Sequence, residues 1–175
     1  MKKKLFLISL LLLTALSAFA VQRYVVGEVF TQTWWGYCPV ARAALHQMSD
    51  DPGQFPYFIP IEWQGDGPNP SPNYSARGSM YGVGGIPHCQ WGGSQSVIGG
   101  GGSTYGSYVT KYNQISAQDS PVDMELSLGT NASGQFVISA DVELTGNIST
   151  TNNKIVFILT YDFTPDQTPD YFASA

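Results

Sequence analysis

The residues of this chain best suited to covalent chemistry are its two cysteines, and the first lies in the run Trp34-Trp35-Gly36-Tyr37-Cys38-Pro39. A thiol attacks disulfides only as the thiolate, and a helix N-terminus, with its dipole and unpaired N–H groups, favours that form. The sequence after Cys38, from Val40 to Met48, is rich in helix formers and puts Val40, Ala44, Leu45 and Met48 on one face. Cys38 is therefore expected in the first turn of a helix. A dithiol cycle needs a second sulfur in Cys-x-x-Cys spacing, one thiolate attacking and the other resolving. With Cys38 second, the first position falls on Trp35. With Cys38 leading Cys-Pro-Val-Ala instead, it would be a monothiol nucleophile, able to form mixed disulfides but not to release them unaided.

The elements that must hold this segment are legible around it. Tyr24 to Phe30 reads as a buried strand and Pro56 to Trp63 as a second, so the order is strand, helix, strand. That is a parallel βαβ unit. Gln64 to Pro72 is turn-rich, a loop near the site, and Asn73 to Met80 is a short helix. The run Tyr81-Gly82-Val83-Gly84-Gly85-Ile86-Pro87 then precedes a strand from His88 to about Trp91, with Ser94 to Ile98 as its hairpin partner. Gly99 to Gly102 lacks the Gly-Lys-Ser/Thr ending of a phosphate loop and reads as a flexible turn. Thr104 to Ile115 carries Tyr105, Tyr108, Val109, Tyr112 and Ile115 at helical spacing.

On these residues the chain resembles the thioredoxin-like superfamily. The phrase from Glu28 to Pro39 is similar to E-x-F-T-G-T-W-C-G-Y-C-P of the outer-membrane-protein-related thioredoxin-fold proteins of Gram-negative envelopes. The resemblance spans about Val25 to Gly102 and implies an α/β fold, a central mixed sheet flanked by helices. It implies that Trp34 is the Trp preceding the redox pair, that Trp35 replaces the first redox Cys, that Cys38 matches the second, and that Pro87 is the cis-proline. The family's second sulfur is the more buried and less reactive one, and without its attacker it cannot run the cycle.

In this fold the cis-proline loop packs against the redox helix, so Cys89, two residues beyond Pro87, could face Cys38. A Cys38–Cys89 disulfide would be structural, worth about 3–4 kcal/mol through loop closure, or a relocated redox pair. His88 could hydrogen-bond a substrate thiolate; with Cys38 and Cys89 it makes a metal set without characteristic spacing, and no metal or other cofactor is expected. Trp34, Trp35, Tyr37, Trp63 and Trp91 form a dense aromatic set. Trp35, Gly36 and Tyr37, with Trp34, Ile86 and His88 beside them, could recognise a peptide, a glycan or a partner protein. With two histidines and no nucleophile-elbow motif, no Ser-His-Asp arrangement stands out. The Asn-x-Ser triplets at Asn73, Asn131 and Asn147 match glycosylation acceptors, a pattern common by chance in so polar a chain.

Residues 1–20 have a basic start, an apolar run from Leu5 to Leu16 and an Ala-x-Ala ending, the pattern of a secretory signal peptide cleaved after Ala20. The run is short for a membrane span, and none is expected in the mature chain. Export would place the protein in the periplasm, at the outer membrane or outside the cell, an oxidising setting. A net charge of −5, with 12% charged residues and no basic cluster after the leader, argues against nucleic acid as partner. An exported protein or peptide fits better.

A thioredoxin-like domain is expected over 21–116 and a linker over 117–121. Beyond it the pattern changes to period two: Val122, Met124, Leu126 and Leu128 alternate with polar residues, as do Phe136, Ile138, Ala140, Val142 and Leu144. Lys154 to Tyr161 is expected as a third strand, buried on both faces. Residues 122–175 thus read as an all-β, immunoglobulin-like sandwich segment; such a domain needs about seven strands, so the expectation is either a minimal domain that leans on its neighbour or an incomplete one belonging to a longer protein. The leading functional expectation is an exported binding or structural module without dithiol catalysis. The alternative is a thiol-disulfide oxidoreductase using Cys38, alone or with Cys89. The register itself is testable: Trp35→Cys should gain disulfide reductase activity, measured by insulin reduction, that the parent lacks, and continued inactivity would contradict it.

Overall fold

The computed structural model describes residues 21–160. The expected signal peptide and the stretch from Tyr161 onward lie outside the described residues. Within them the chain forms two compact units, one of residues 23–118 with 149–160 and one of residues 21–22 with 119–148.

The first unit is built on four strands: β2 (Val25–Thr31), β3 (Phe58–Gln64), β4 (His88–Trp91) and β5 (Gln95–Ile98), numbered after the short β1 (Val21–Gln22) of the other unit. Their order is β3-β2-β4-β5. β2 runs parallel to β3 and antiparallel to β4, so the sheet is mixed. Helix α1 (Cys38–Ser49) links β2 to β3, α2 (Tyr74–Tyr81) precedes β4, and α3 (Thr104–Ser116) follows β5.

Alternation along the strands separates two cores. On one face Val25, Val29, Cys89 and Trp91 pack against Ala41, Ala44, Leu45 and Met48 of α1 and Tyr108, Tyr112 and Ile115 of α3. On the other, Phe30, Ile61 and Trp63 meet Tyr74 and Tyr81 of α2, with Val83 and Ile86 beyond it. The buried face of α1 begins at Cys38 itself, so spacing by three and four selects Ala41 and leaves Val40 exposed, contrary to the face expected from sequence. β3 is an edge strand with few groups free to pair. Its outward Phe58 N–H is taken by the Phe55 carbonyl at 3.2 Å, Gln64 by Ser71, and Pro60 has no donor.

One buried carboxylate ties three of these elements together. Glu28 on β2 accepts Arg77 Nε and Nη2 from α2, each at 2.8 Å, Tyr81 Oη at 2.6 Å and Trp63 Nε1 of β3 at 2.9 Å. Burial alone would raise its pKa, but these hydrogen bonds and the Arg77 charge outweigh burial and leave it lowered.

In the second unit β1 pairs antiparallel with β6 (Asp119–Ser120), inside the stretch expected as a linker. β7 (Val122–Thr130) and β8 (Phe136–Leu144) form a hairpin whose register sets Val122, Met124, Leu126 and Leu128 opposite Leu144, Val142, Ala140 and Ile138 on one face. Among the described residues the expected third strand does not form. Residues 154–160 join no ladder, Ile155, Val156, Phe157 and Leu159 are exposed, and Ile158 packs on the Phe30, Ile61 and Trp63 cluster of the first unit. A run of β-prone residues makes a strand only where a partner strand meets it in register.

Removing Arg77 strands a buried carboxylate, so Arg77→Met should cost about 3–5 kcal/mol in urea unfolding, and Arg77→Met with Glu28→Gln less. Because the folded pKa of Glu28 is lowered from 4.5, its share of stability is complete above that pH and is lost as pH falls through the folded value. A flat stability profile in acid would contradict this.

Candidate functional site

The turn between β2 and α1 is fixed before any ligand arrives. Asp66 accepts the Thr33 N–H at 2.8 Å and the Thr33 hydroxyl at 2.9 Å, and takes a third bond from Gln64 Nε2 at 2.6 Å. Gln32 Oε1 accepts Trp34 Nε1 at 2.7 Å. Three rings then stand at the helix entrance, with Trp34 and Trp35 edge to face at 5.5 Å and Trp35 and Tyr37 at 5.9 Å. Trp34 is 66% exposed, Trp35 39% and Tyr37 55%.

Cys38 is the first residue of α1 and fully buried. Its N–H bonds the Trp35 carbonyl at 2.9 Å. Burial pushes its thiol pKa up, and the charges of Asp66 and Glu62 add to the rise; the Gln32 N–H on the sulfur offsets only part. The helix terminus therefore does not activate this sulfur. Cys89 on β4 is also buried, and burial raises its pKa strongly. Both cysteines stand in the structure as free, buried thiols.

His88, next in sequence, faces the other side of the sheet. It is buried edge-on against Phe30 at 6.3 Å, with Nε2 3.2 Å from Gln90 Oε1 and no partner on Nδ1. Alternation on β4 thus turns His88 and Cys89 to opposite faces, and His88 is buried on the Phe30 side. Among the described residues no group of three or more His, Cys, Asp or Glu could hold a metal ion.

The Gly-rich turn has a definite role. Gly99 N–H bonds the Pro87 carbonyl at 2.7 Å, and a Cβ on Gly100 would run into the Tyr37 carbonyl oxygen. The loop thus joins the start of α1 to the cis Ile86–Pro87 peptide.

Beside these elements lies an open groove of about 580 Å³, lined by Gln32, Trp34, Trp35, Gly85, Ile86 and Val83 and walled by Tyr74, Ser75, Gly78 and Ser79 of α2. Of the residues expected at the site, Trp34, Trp35 and Ile86 line the groove, and Gly36, Tyr37, Pro87 and His88 do not. The α2 residues carried no sequence signal, since small and polar residues on a short helix look the same whether they face water or a ligand. No lining residue carries a charge, and burial together with Cys38 and Asp66 raises the Tyr74 phenol and keeps it neutral. Gly84, Gly85 and Ile86 make no hydrogen bond within the described residues, so their backbone groups are free at the groove's edge.

The strand order, helices on both faces and a cis proline ahead of β4 define a thioredoxin-like α/β unit. Among solved structures, the thioredoxin Mala s 13 of Malassezia sympodialis is 22% identical with a TM-score of 0.42, over 56% of this chain and 80% of that one. HBP35 of Porphyromonas gingivalis is 21% identical with a TM-score of 0.43, over 63% of this chain and 38% of its own. No family model matches the chain, and no curated protein matches it.

Native Cys38 should resist iodoacetamide at pH 8 while the unfolded chain reacts fast. Gly100→Ala, by displacing the loop from Tyr37, should speed native labelling at least tenfold. Rapid labelling of the parent would contradict the burial and pKa arguments together.

Proposed function

We propose that the chain is an exported, envelope-associated binding protein of thioredoxin fold, of the outer-membrane-protein-related kind, that has lost dithiol catalysis and kept a peptide groove. Its degenerate Trp-x-x-Cys site binds an extended, uncharged segment of another exported protein. The observation that carries this reading is the pairing of a buried thiol of raised pKa at Cys38 with an open groove whose rim offers unpaired backbone and exposed indoles. An extended peptide can add main-chain hydrogen bonds to Gly84–Ile86 while its side chains stack on Trp34 and Trp35. A saccharide would use the rings but leave the backbone groups of the rim without a matching ladder. The absence of charge in the lining disfavours charged side chains, which would lose their water without an ion partner. Export rests on the leader pattern of residues 1–20, and the β7–β8 hairpin is the opening of an immunoglobulin-like sandwich, its apolar face awaiting further strands.

Fluorescence anisotropy with labelled Gly-Ser-Ala-Leu-Ala-Ser-Gly tests the function. The parent should bind with Kd on the order of 10–100 µM, since a few backbone bonds and one buried side chain must outweigh the cost of ordering the peptide. Trp35→Ala should weaken binding about 5–30-fold, and the parent should not catalyse insulin reduction. Catalysed reduction without peptide binding would favour the oxidoreductase alternative.

A further inference from the structure

Gly78 is the residue whose identity the fold leaves unexplained. It lies inside α2, where glycine is the least favourable residue after proline. Its backbone is ordinary helix, with no positive φ to require glycine. Its carbonyl accepts the N–H groups of Gly82 and Val83, bonds that any residue could make. Packing does not demand it either. A Cβ there would sit 3.6 Å from Phe30 Cε1 and 3.6 Å from Val83 Cβ, ordinary contact with no clash. Gly100 differs, since there a Cβ would strike backbone.

What glycine does at 78 is keep the groove wall open. Ser75 and Ser79 flank it on the same helix face, Val83 and Ile86 lie across, and Phe30 lies beneath. We propose that Gly78 is the specificity-determining residue of the groove, forming a side-chain subsite for one uncharged aliphatic residue of an extended peptide. This rests on the peptide-binding reading above. A peptide hydrogen-bonded along Gly84–Ile86 turns alternate side chains toward α2. The one beside Gly78 meets Val83 and Ile86. Leucine fills that space, alanine leaves it part empty, and aspartate or lysine enters without an ion partner.

The test sets fold stability and binding against each other. Gly78→Ala should raise Tm by about 3–6 °C through helix propensity, yet weaken the leucine-centred peptide at least fivefold by anisotropy. Replacing that leucine with alanine in the peptide should weaken binding to the parent by a similar factor and have little further effect on Gly78→Ala, the mark of direct coupling. Equal affinity of parent and Gly78→Ala for the leucine peptide, or independent losses in the two changes, would overturn the subsite and leave the groove reading standing. If the parent binds none of the peptides, including aspartate- and lysine-centred ones, both proposals fall. Preferred binding of the charged peptides would overturn the neutral subsite and the preference of the groove for uncharged segments, leaving peptide binding itself standing.

Discussion

The carboxylate of Glu28 is the constraint on which the site depends. A short helix with no side-chain cap at its N-terminus, such as α2, has little stability of its own, so tertiary contacts must hold it. Glu28 provides them by gripping Arg77 with both oxygens while Tyr81 and Trp63 fill its remaining acceptor sites. The grip fixes α2 against β2 and β3, and α2 is one wall of the groove. Phe30, two residues along β2 on the same face, adds ring contacts to Trp63, Tyr74, Tyr81 and His88. A buried ion pair makes a poor source of net stability, but its geometry is demanding, which suits a wall that must be placed to within an ångström.

The chemistry of the redox position follows from the same frame. Burial pushes the Cys38 thiol above its usual pKa, and the charges of Asp66 and Glu62 add to the rise. Trp35, 39% exposed, presents its indole at the helix entrance beside the buried Cys38.

Much of this was legible in the sequence because it is local. The four strands of the mixed sheet and helix α3 are readable from their apolar runs and spacing, and the cis-proline position only through the resemblance of the run before Pro87 to the loops of thioredoxin folds. Three things were not. The face of α1 turned on where the helix begins, which shifted Val40 outward and Ala41 inward. The Glu28–Arg77 pair joins residues 49 apart in sequence, and no local pattern marks it. Residues 154–160 have the composition of a strand without a ladder to join, and Ile158 settles on the Phe30 cluster instead. In the groove, the indoles and Ile86 stood out by type, whereas Tyr74, Ser75, Gly78 and Ser79 acquire their role only from the side of α2 that faces the opening.

The most direct test of a peptide groove beside a silent thiol is amide hydrogen exchange of the native chain with and without saturating leucine-centred peptide. The account predicts added protection of the free amides at Gly84, Gly85 and Ile86, with the flanking indoles of Trp34 and Trp35 changing in fluorescence. Protection confined to the β7–β8 hairpin, with Gly84–Ile86 exchanging as before, would contradict it.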